Sequence, residues 1–249
     1  MTEANERARP APAVEILPAG RIRLVETPLP GLSERHRAAM DRAWEEAVRA
    51  NPALFDGPMA VLTGLQRDGA DGLVLFWART TYRNRALRHV PGAPLHGSLS
   101  VSVAQPADDG RLLVGRMAPS TAAPGRWQLP GGGVEPPDDG RELNLGALRA
   151  HAARELAEET GSDTPADALT PWLTTRGGRG NVGVVFTAPP RPARELYDRY
   201  AELARKETAC GVQPEFTEVE LIGPPADLKR LQGPHAALLP LLVRRHTGS

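Results

Sequence analysis

The sequence predicts an α/β sandwich, in which a sheet carries helices on both faces. Apolar and polar residues alternate in several short stretches, as they do along half-buried strands. In longer stretches apolar residues recur every three or four positions, which is typical of one face of a helix. The 249 residues include 25 glycines and 25 prolines, so we expect long loops between the elements.

The N-terminal part is predicted to form a disordered arm over residues 1–12 and a small α+β lobe over residues 13–95. The expected elements of the lobe are a strand at residues 21–26, a helix from Ser33 to about Ala50, and a β-hairpin at residues 59–65 and 73–78. Ser33 can cap the helix and Pro52 enforces its end.

Residues 96–249 are predicted to form a second domain, in which strands surround one long helix. That helix runs from about Glu142 to Thr160, because four apolar residues fall on one face: Leu145, Leu148, Ala152 and Leu156. Strands are expected at residues 99–103, 112–114, 125–129, 169–174, 182–187 and 218–222, and further helices at residues 193–206 and 235–245.

The composition excludes several classes of function. Lys plus Arg equals Asp plus Glu at 30 each, so no net charge draws the protein onto nucleic acid or an anionic membrane. The single Cys210 excludes an intramolecular disulfide and a Cys/His zinc site built on it. The sequence has no apolar run of membrane-spanning length and no signal-peptide core, so we expect a cytoplasmic protein.

Three carboxylates crowd the end of the long helix. Glu155 precedes Glu158 and Glu159 by three and four positions, so it shares a helix face with both. At about 6 Å and an effective dielectric near 20, two such charges repel by roughly 3 kcal/mol. Arg154 can offset only one of them. A divalent cation would turn the repulsion into attraction, and hard oxygen ligands favour Mg²⁺ or Mn²⁺, with Ca²⁺ as an alternative.

A glycine run precedes the helix at residues 131–133. Because glycine has no side chain, the backbone there can approach the carboxylates closely. Metal-assisted attack of water on a phosphoryl group is the chemistry that this combination implies.

The stretch "LPGGGVE … ARELAEETG" resembles the Nudix box, G-x5-E-x7-R-E-U-x-E-E-x-G-U, where U is apolar. The second half matches in order from Arg154 to Gly161, and Ser162 departs from the final apolar position. From Gly132 to Arg154 is 22 positions instead of 14, so about eight residues are inserted. Gly146 stands where the first box glutamate belongs, and Glu142 is a candidate to replace it.

The resemblance implies an α/β/α sandwich with a mixed sheet and Mg²⁺-dependent hydrolysis of a nucleoside diphosphate linked to another moiety. The implied metal ligands are Glu155, Glu158, Glu159 and a backbone carbonyl from the glycine run, assigned to Gly132. Arg154 would orient a box glutamate. The general base or an extra ligand would come from a later loop, where we prefer Glu218 to Glu215 because it opens a strand.

Four further residues are candidates for substrate binding. Arg176 and Arg179 would grip phosphate, unless they belong to a polar hairpin loop. Arg83, in a basic cluster beside Tyr82, would reach phosphates or a base, with a solvated strand edge as the alternative. Trp127 would stack on a base, with core packing as the alternative.

The expected partner is a small-molecule diphosphate, most simply a nucleotide sugar, without nucleic acid or membrane; a homodimer is left open. The stretch "RAWEEAVRANPALFDGP" is similar to the N-terminal lobe of a Nudix branch that cleaves UDP-sugars. Alternatives are hydrolysis of a nucleoside triphosphate or an isoprenoid-type diphosphate, and a non-catalytic ligand-sensing module of the same fold.

Overall fold

A computed structural model describes residues 14–17, 20–138 and 140–248, and the predicted arm over residues 1–12 lies outside them. Within this part of the chain, the strands are β1 (Glu15–Leu17), β2 (Arg21–Glu26), β3 (Pro58–Asp68), β4 (Gly72–Thr81), β5 (Gly97–Ala104), β6 (Leu112–Met117), β7 (Trp127–Gln128), β8 (Thr170–Arg176), β9 (Val182–Thr187) and β10 (Phe216–Ile222). The α-helices are α1 (Glu34–Ala50), α2 (Leu145–Thr160), α3 (Ala193–Ala209) and α4 (Leu239–Thr247). None of these helices is long and apolar enough to cross a bilayer.

Seven of the described strands form one mixed sheet in the order β1-β8-β9-β5-β3-β4-β2. The pairs β5–β9 and β2–β4 are parallel and the other pairs are antiparallel. The expected mixed sheet is therefore confirmed. A smaller antiparallel sheet has the order β10-β6-β7.

Strand β5 separates the main core from the opposite face of the sheet. Leu99, Val101 and Val103 are fully buried and pack in one cluster with Leu148 and Leu156 of α2. Side chains alternate across a strand, so the serines between them face the other way. The sequence "GSLSVSVA" thus gives β5 an apolar face towards α2 and a polar face on the far side.

A second apolar cluster covers the far side of the sheet. On β9, Val184 belongs to the core under α2, whereas the next residue, Val185, packs with Val114 of β6 and Leu242 of α4. The small sheet and α4 therefore lie across the large sheet from α2, which gives the layered arrangement that the sequence predicts.

The predicted division at residues 95 and 96 does not separate two cores. Leu62 of β3 pairs with Gly97 of β5, so the sheet runs across the division. Leu62 and Trp77 also pack in the same cluster as Leu148 of α2. The strands of the N-terminal lobe complete the central sheet. That the lobe acts as a functional unit remains a prediction.

Several elements differ from the prediction, and three of the differences lie in helical segments. Helix α2 begins at Leu145 and not near Glu142, because the side chain of Asn144 accepts a hydrogen bond from the Ala147 amide and caps the helix. The predicted strand edge around Arg83 is a 3₁₀ helix, Tyr82–His89. The last helix begins at Leu239, with proline in its first turn.

We expect Leu148→Ala to lower the free energy of unfolding by about 3 kcal/mol, because it leaves a cavity between α2 and β5. Leu148 has no exposed surface, whereas Leu95 is 60% exposed. Leu95→Ala is therefore the matched control, and urea denaturation measures both. Equal losses in the two variants would contradict this account of the core.

Candidate metal and diphosphate site

The three glutamates lie near the end of α2 at different depths. Glu159 is buried, with 2% of its surface exposed. The side chain of Glu155 is 14% exposed and that of Glu158 is 57% exposed. Gly161, in the left-handed conformation, ends the helix directly after them. The carboxylates therefore extend from the interior of the protein to its surface.

The glycine loop, residues 131–133, lies between β5 and the acidic face of α2. The amide of Val101 donates a hydrogen bond to the carbonyl of Gly132 at 3.0 Å. Gly131 has a φ of 145°, and a Cβ there would overlap the carbonyl of Val101. A Cβ on Gly132 would overlap the carboxylate of Glu155. Only glycine leaves both neighbours in place.

The buried carboxylate of Glu159 is incompletely satisfied. The amide of Gly131 donates to its Oε2 at 2.6 Å, whereas Oε1 is buried without a hydrogen-bond partner. Burial and the charge of Glu215 raise the pKa of Glu159 well above its usual value, and the bond from Gly131 only partly opposes this. A cation beside Oε1 would offset both the burial and the missing partner.

Arg154 gathers carboxylates on the exposed side of the cluster. Its guanidinium lies 3.1 Å from Glu158 and 3.6 Å from Glu155. It also lies 3.7 Å from Glu135, which follows the glycine loop and was not predicted as a site residue. Glu135 therefore supplies a carboxylate partner for Arg154, although the first box glutamate is absent. Glu142, the predicted replacement, is exposed in the segment before α2.

The structure brings Glu215, and not Glu218, to the carboxylate cluster. The pairing of β10 with β6 puts Glu218 opposite Arg116, and the two side chains form an ion pair at 3.4 Å. Burial raises the pKa of Glu215, and the charges of Glu155 and Glu158 raise it further. The structure therefore contradicts the predicted preference for Glu218 over Glu215 at this site.

A cavity of about 720 Å³ opens beside the glycine loop. Its wall includes residues 131–133, Glu215, the serines of β5 and three arginines. Sites for drug-sized ligands have volumes of about 300–1,000 Å³. The carboxylates of α2 therefore lie behind a loop that lines a cavity large enough for a small-molecule substrate.

A model of the NUDIX domain matches residues 98–242, which is more than half of the chain. The chain belongs to the NUDIX family. It is thereby identified as a pyrophosphohydrolase of that family.

Several solved structures are similar to this Nudix protein. The MutT protein of Methanosarcina mazei is 19% identical with a TM-score of 0.39, over 60% of this chain and 91% of that chain. Shewanella oneidensis NrtR is 23% identical with a TM-score of 0.37, over 60% of this chain and 61% of that chain. A Deinococcus radiodurans protein is 18% identical with a TM-score of 0.41, over 76% of this chain and 98% of that chain. No curated protein matches the chain. Likenesses this distant do not identify its substrate.

Two of the residues predicted to bind substrate contact other parts of the Nudix protein instead. Trp127 is 1% exposed and its indole donates to the carbonyl of Gln232 at 3.0 Å, so the core-packing alternative is correct. Arg83 pairs with Asp41 at 3.4 Å and with Asp56 at 3.3 Å. Both side chains stabilise the fold and do not line the large cavity.

Arg176, at the end of β8, and Arg179, in the loop after it, have different surroundings. Arg176 is exposed at the end of β8, where it pairs in register with Glu15 of β1. Arg179 lines a smaller cavity of about 110 Å³, whose wall also includes Arg85 and Arg88 of the large cavity. Arg179 therefore remains a candidate for substrate binding, and Arg176 lies outside both cavities.

Phe55 and Arg126 are among the cavity residues that the sequence did not predict. Phe55 is 78% exposed and lines the large cavity, and an aromatic residue between Pro and Gly in "NPALFDGP" was the available signal. Arg126 also lines it, next to the buried Trp127. No local pattern marks Arg126, because its environment comes from distant segments.

Among the described residues, no three Asp, Glu, His or Cys side chains converge closely enough to hold a metal ion. In this arrangement Glu158 reaches Arg154, and Glu159 reaches the Gly131 amide. The donor set nevertheless fits a hard dication, because it consists of carboxylates and includes the unpartnered Oε1 of Glu159. The carbonyl of Gly132 accepts from Val101, so only its second lone pair could serve a metal.

We expect Glu159→Gln to stabilise the metal-free protein. The folded-state pKa of Glu159 is raised, so the folded protein binds this proton more tightly than the unfolded chain does. Stability of the native protein therefore falls as pH rises above the usual glutamate value of 4.5, and glutamine removes that loss.

Urea denaturation in EDTA, at pH about 5 and about 8, measures this effect. The advantage of Glu159→Gln should be larger at the higher pH. Glu158→Gln, in which the exposed neighbour receives the same change, should give no such advantage. A Glu159→Gln protein no more stable than the native one at the higher pH would refute the burial argument.

Proposed function

We propose that this Nudix protein hydrolyses the pyrophosphate bond of a nucleoside diphosphate linked to another moiety, with Mg²⁺ or Mn²⁺ as cofactor and water as nucleophile. The observation that carries the proposal is the position of the glycine loop. The loop contacts the buried carboxylates of α2 on one side and lines the large cavity on the other. A diphosphate in the cavity would therefore lie next to the acidic cluster.

Glu155, Glu158 and Glu159 would hold the divalent cation. When bound, the cation would neutralise negative charge on the diphosphate and polarise its phosphoryl oxygens. The chain itself positions the ligands: the Gly131 amide holds Glu159, and His151 lies 3.0 Å from Glu155. Arg154 holds Glu158 and would release it to the cation, because an exposed ion pair is weak.

Glu215 is the proposed general base. Glu215 lies at the cavity wall, and its pKa is raised by partial desolvation there and by the charges of Glu155, Glu158 and Glu207. A carboxylate with a raised pKa accepts a proton from water more readily at neutral pH. Glu215 would take that proton as the water oxygen attacks phosphorus, and the bond from phosphorus to the bridging oxygen would break.

The cavity also supports a nucleotide as substrate. Phe55 presents an exposed ring at the wall, and aromatic rings stack on bases of any sequence. The serine hydroxyls of β5, at Ser98, Ser100 and Ser102, line the same wall and can donate hydrogen bonds to phosphate or sugar oxygens.

We expect Glu158→Gln to lower turnover by about 100-fold or more, since even outer partners of metal ligands cost 10–100-fold. The assay measures release of nucleoside monophosphate from UDP-glucose and from ADP-ribose, with Mg²⁺ or with EDTA. Glu46→Gln on α1 is the control for loss of one exposed glutamate. Full activity of Glu158→Gln would remove it from the ligand set, and no Mg²⁺-dependent release from any diphosphate would favour the ligand-sensing alternative.

The glycine loop offers a matched pair of variants. Gly132→Ala places a methyl group against the carboxylate of Glu155, whereas Gly133→Ala meets open space. The neighbour is the end of a flexible side chain, so Gly132→Ala should fold normally but displace Glu155. We expect it to weaken Mn²⁺ binding by about tenfold, and Gly133→Ala to leave binding unchanged. Titration followed by electron paramagnetic resonance measures both, and equal affinities would argue against Glu155 as a ligand.

A further inference from the structure

Four arginines line the large cavity or the smaller cavity that adjoins it, and they form the arginine cluster: Arg85, Arg88, Arg126 and Arg179. The first three line the large cavity. Arg85 and Arg88 also line the adjoining smaller cavity, together with Arg179. The two cavities therefore meet at the cluster.

Within the described part of the chain, no carboxylate forms an ion pair with any of these four arginines. Arg85 lies over the ring of Tyr82 at 5.0 Å. Arg88 donates to the imidazole of His89 at 2.9 Å, and Arg126 donates to the side-chain oxygen of Gln128 at 3.0 Å. These partners are all uncharged or weakly basic.

Arg83 belongs to the same 3₁₀ helix as Arg85 and Arg88 but has different partners. Arg83 is neutralised by Asp41 and Asp56. Arg126, by contrast, has a buried Nε without any hydrogen-bond partner. Buried polar groups are normally satisfied, so this guanidinium nitrogen at a cavity wall is free to bind an acceptor from outside the chain.

The positive charges also act on one another. Burial lowers the pKa of Arg126, and the charge of Arg85 lowers it further. Burial lowers the pKa of Arg88 as well, followed by the charges of Arg85 and Arg179. Arginine stays protonated in proteins, so a bound anion would relieve this repulsion.

Strand β5 gives the separation between the cluster and the end of the glycine loop that holds Glu159. The loop runs along β5, with Gly133 opposite Ser100 and with Gly131, which bonds to Glu159, against Ser102. Ser98, four residues before Ser102, lines both cavities together with Arg85 and Arg88. Four residues along a strand span about 13 Å. A phosphoryl group beside the Glu159 end of the loop therefore leaves the cluster free for a second anion.

We propose that the arginine cluster binds a second anionic group of the substrate, a phosphate or a carboxylate outside the hydrolysed diphosphate. This inference rests on the proposed function for the identity of the first anionic group. The substrate class is thereby narrowed to diphosphates that carry a further negative charge on the nucleoside or on the attached moiety. Bidentate contacts with planar guanidinium groups suit both anions.

The first test measures binding without catalysis. Inorganic phosphate is titrated into the full-length protein by calorimetry in EDTA, which removes any role of a metal. Arg88→Gln and Arg126→Gln should each weaken phosphate binding by about tenfold or more, the loss of one charged hydrogen bond. Arg194→Gln on the exposed face of α3 is the control for loss of one positive charge. Equal affinity in all variants, or no binding to the native protein, would overturn the proposal.

The second test measures hydrolysis of matched substrates. UDP-glucuronate differs from UDP-glucose by a carboxylate, and 2′-phospho-ADP-ribose differs from ADP-ribose by a phosphate. The native protein should have a higher kcat/KM for the charged member of at least one pair, by about tenfold. Which pair shows the preference distinguishes carboxylate from phosphate. Arg88→Gln and Arg126→Gln should abolish it while leaving the uncharged member unchanged.

Failure of the inference and failure of the proposed function give different results. Hydrolysis of all four compounds without a preference, or equal losses on both members of a pair, would overturn the second anion site but retain the diphosphatase. Phosphate binding that depends on Arg88 and Arg126, without hydrolysis of any compound, would support the anion site and contradict the catalytic proposal.

Discussion

The site depends on a glycine loop held between a strand and a helix. The bond from Val101 to the carbonyl of Gly132 fixes the loop to β5, and the bond from the Gly131 amide holds Glu159 of α2. A Cβ on Gly131 would overlap the backbone of β5, and a Cβ on Gly132 would displace the carboxylate of Glu155. The same loop lines the cavity, so the packing of α2 on the sheet also positions the acidic cluster beside the cavity.

The cavity is electrically asymmetric, and the asymmetry has a cost to stability. Glu159 is buried and Glu215 lies exposed at the cavity wall, and nearby carboxylates help to raise the pKa of both. Arg126 is half-buried, and its partial burial and the charge of Arg85 lower its pKa. Each group keeps like charges together in a chain whose net charge is zero. Such local conflicts are typical of functional sites, and the proposed cation and anion would provide the missing compensation.

The inserted residues and the missing box glutamate leave this arrangement intact. Residues after Glu135 lead to the cap at Asn144, so the insertion ends before α2 begins. The glycine loop is fixed by β5 and the glutamates by α2, so neither depends on the length of the connection. Glu135 lies close enough to Arg154 to supply the carboxylate partner that Gly146 cannot. Loops on the surface tolerate such changes better than the elements that they join.

The sequence by itself determined the local features of this protein. Hydrophobic periodicity predicted most strands and helices, and the spacing of Glu155, Glu158 and Glu159 predicted one acidic face, because both follow from the geometry of a single element. Tertiary structure alone decided that Trp127 is buried, that Glu215 and not Glu218 faces the cluster, and that arginines from distant segments share a cavity. Burial and charge environment depend on which segments pack together, and periodicity within one segment carries no information about its neighbours.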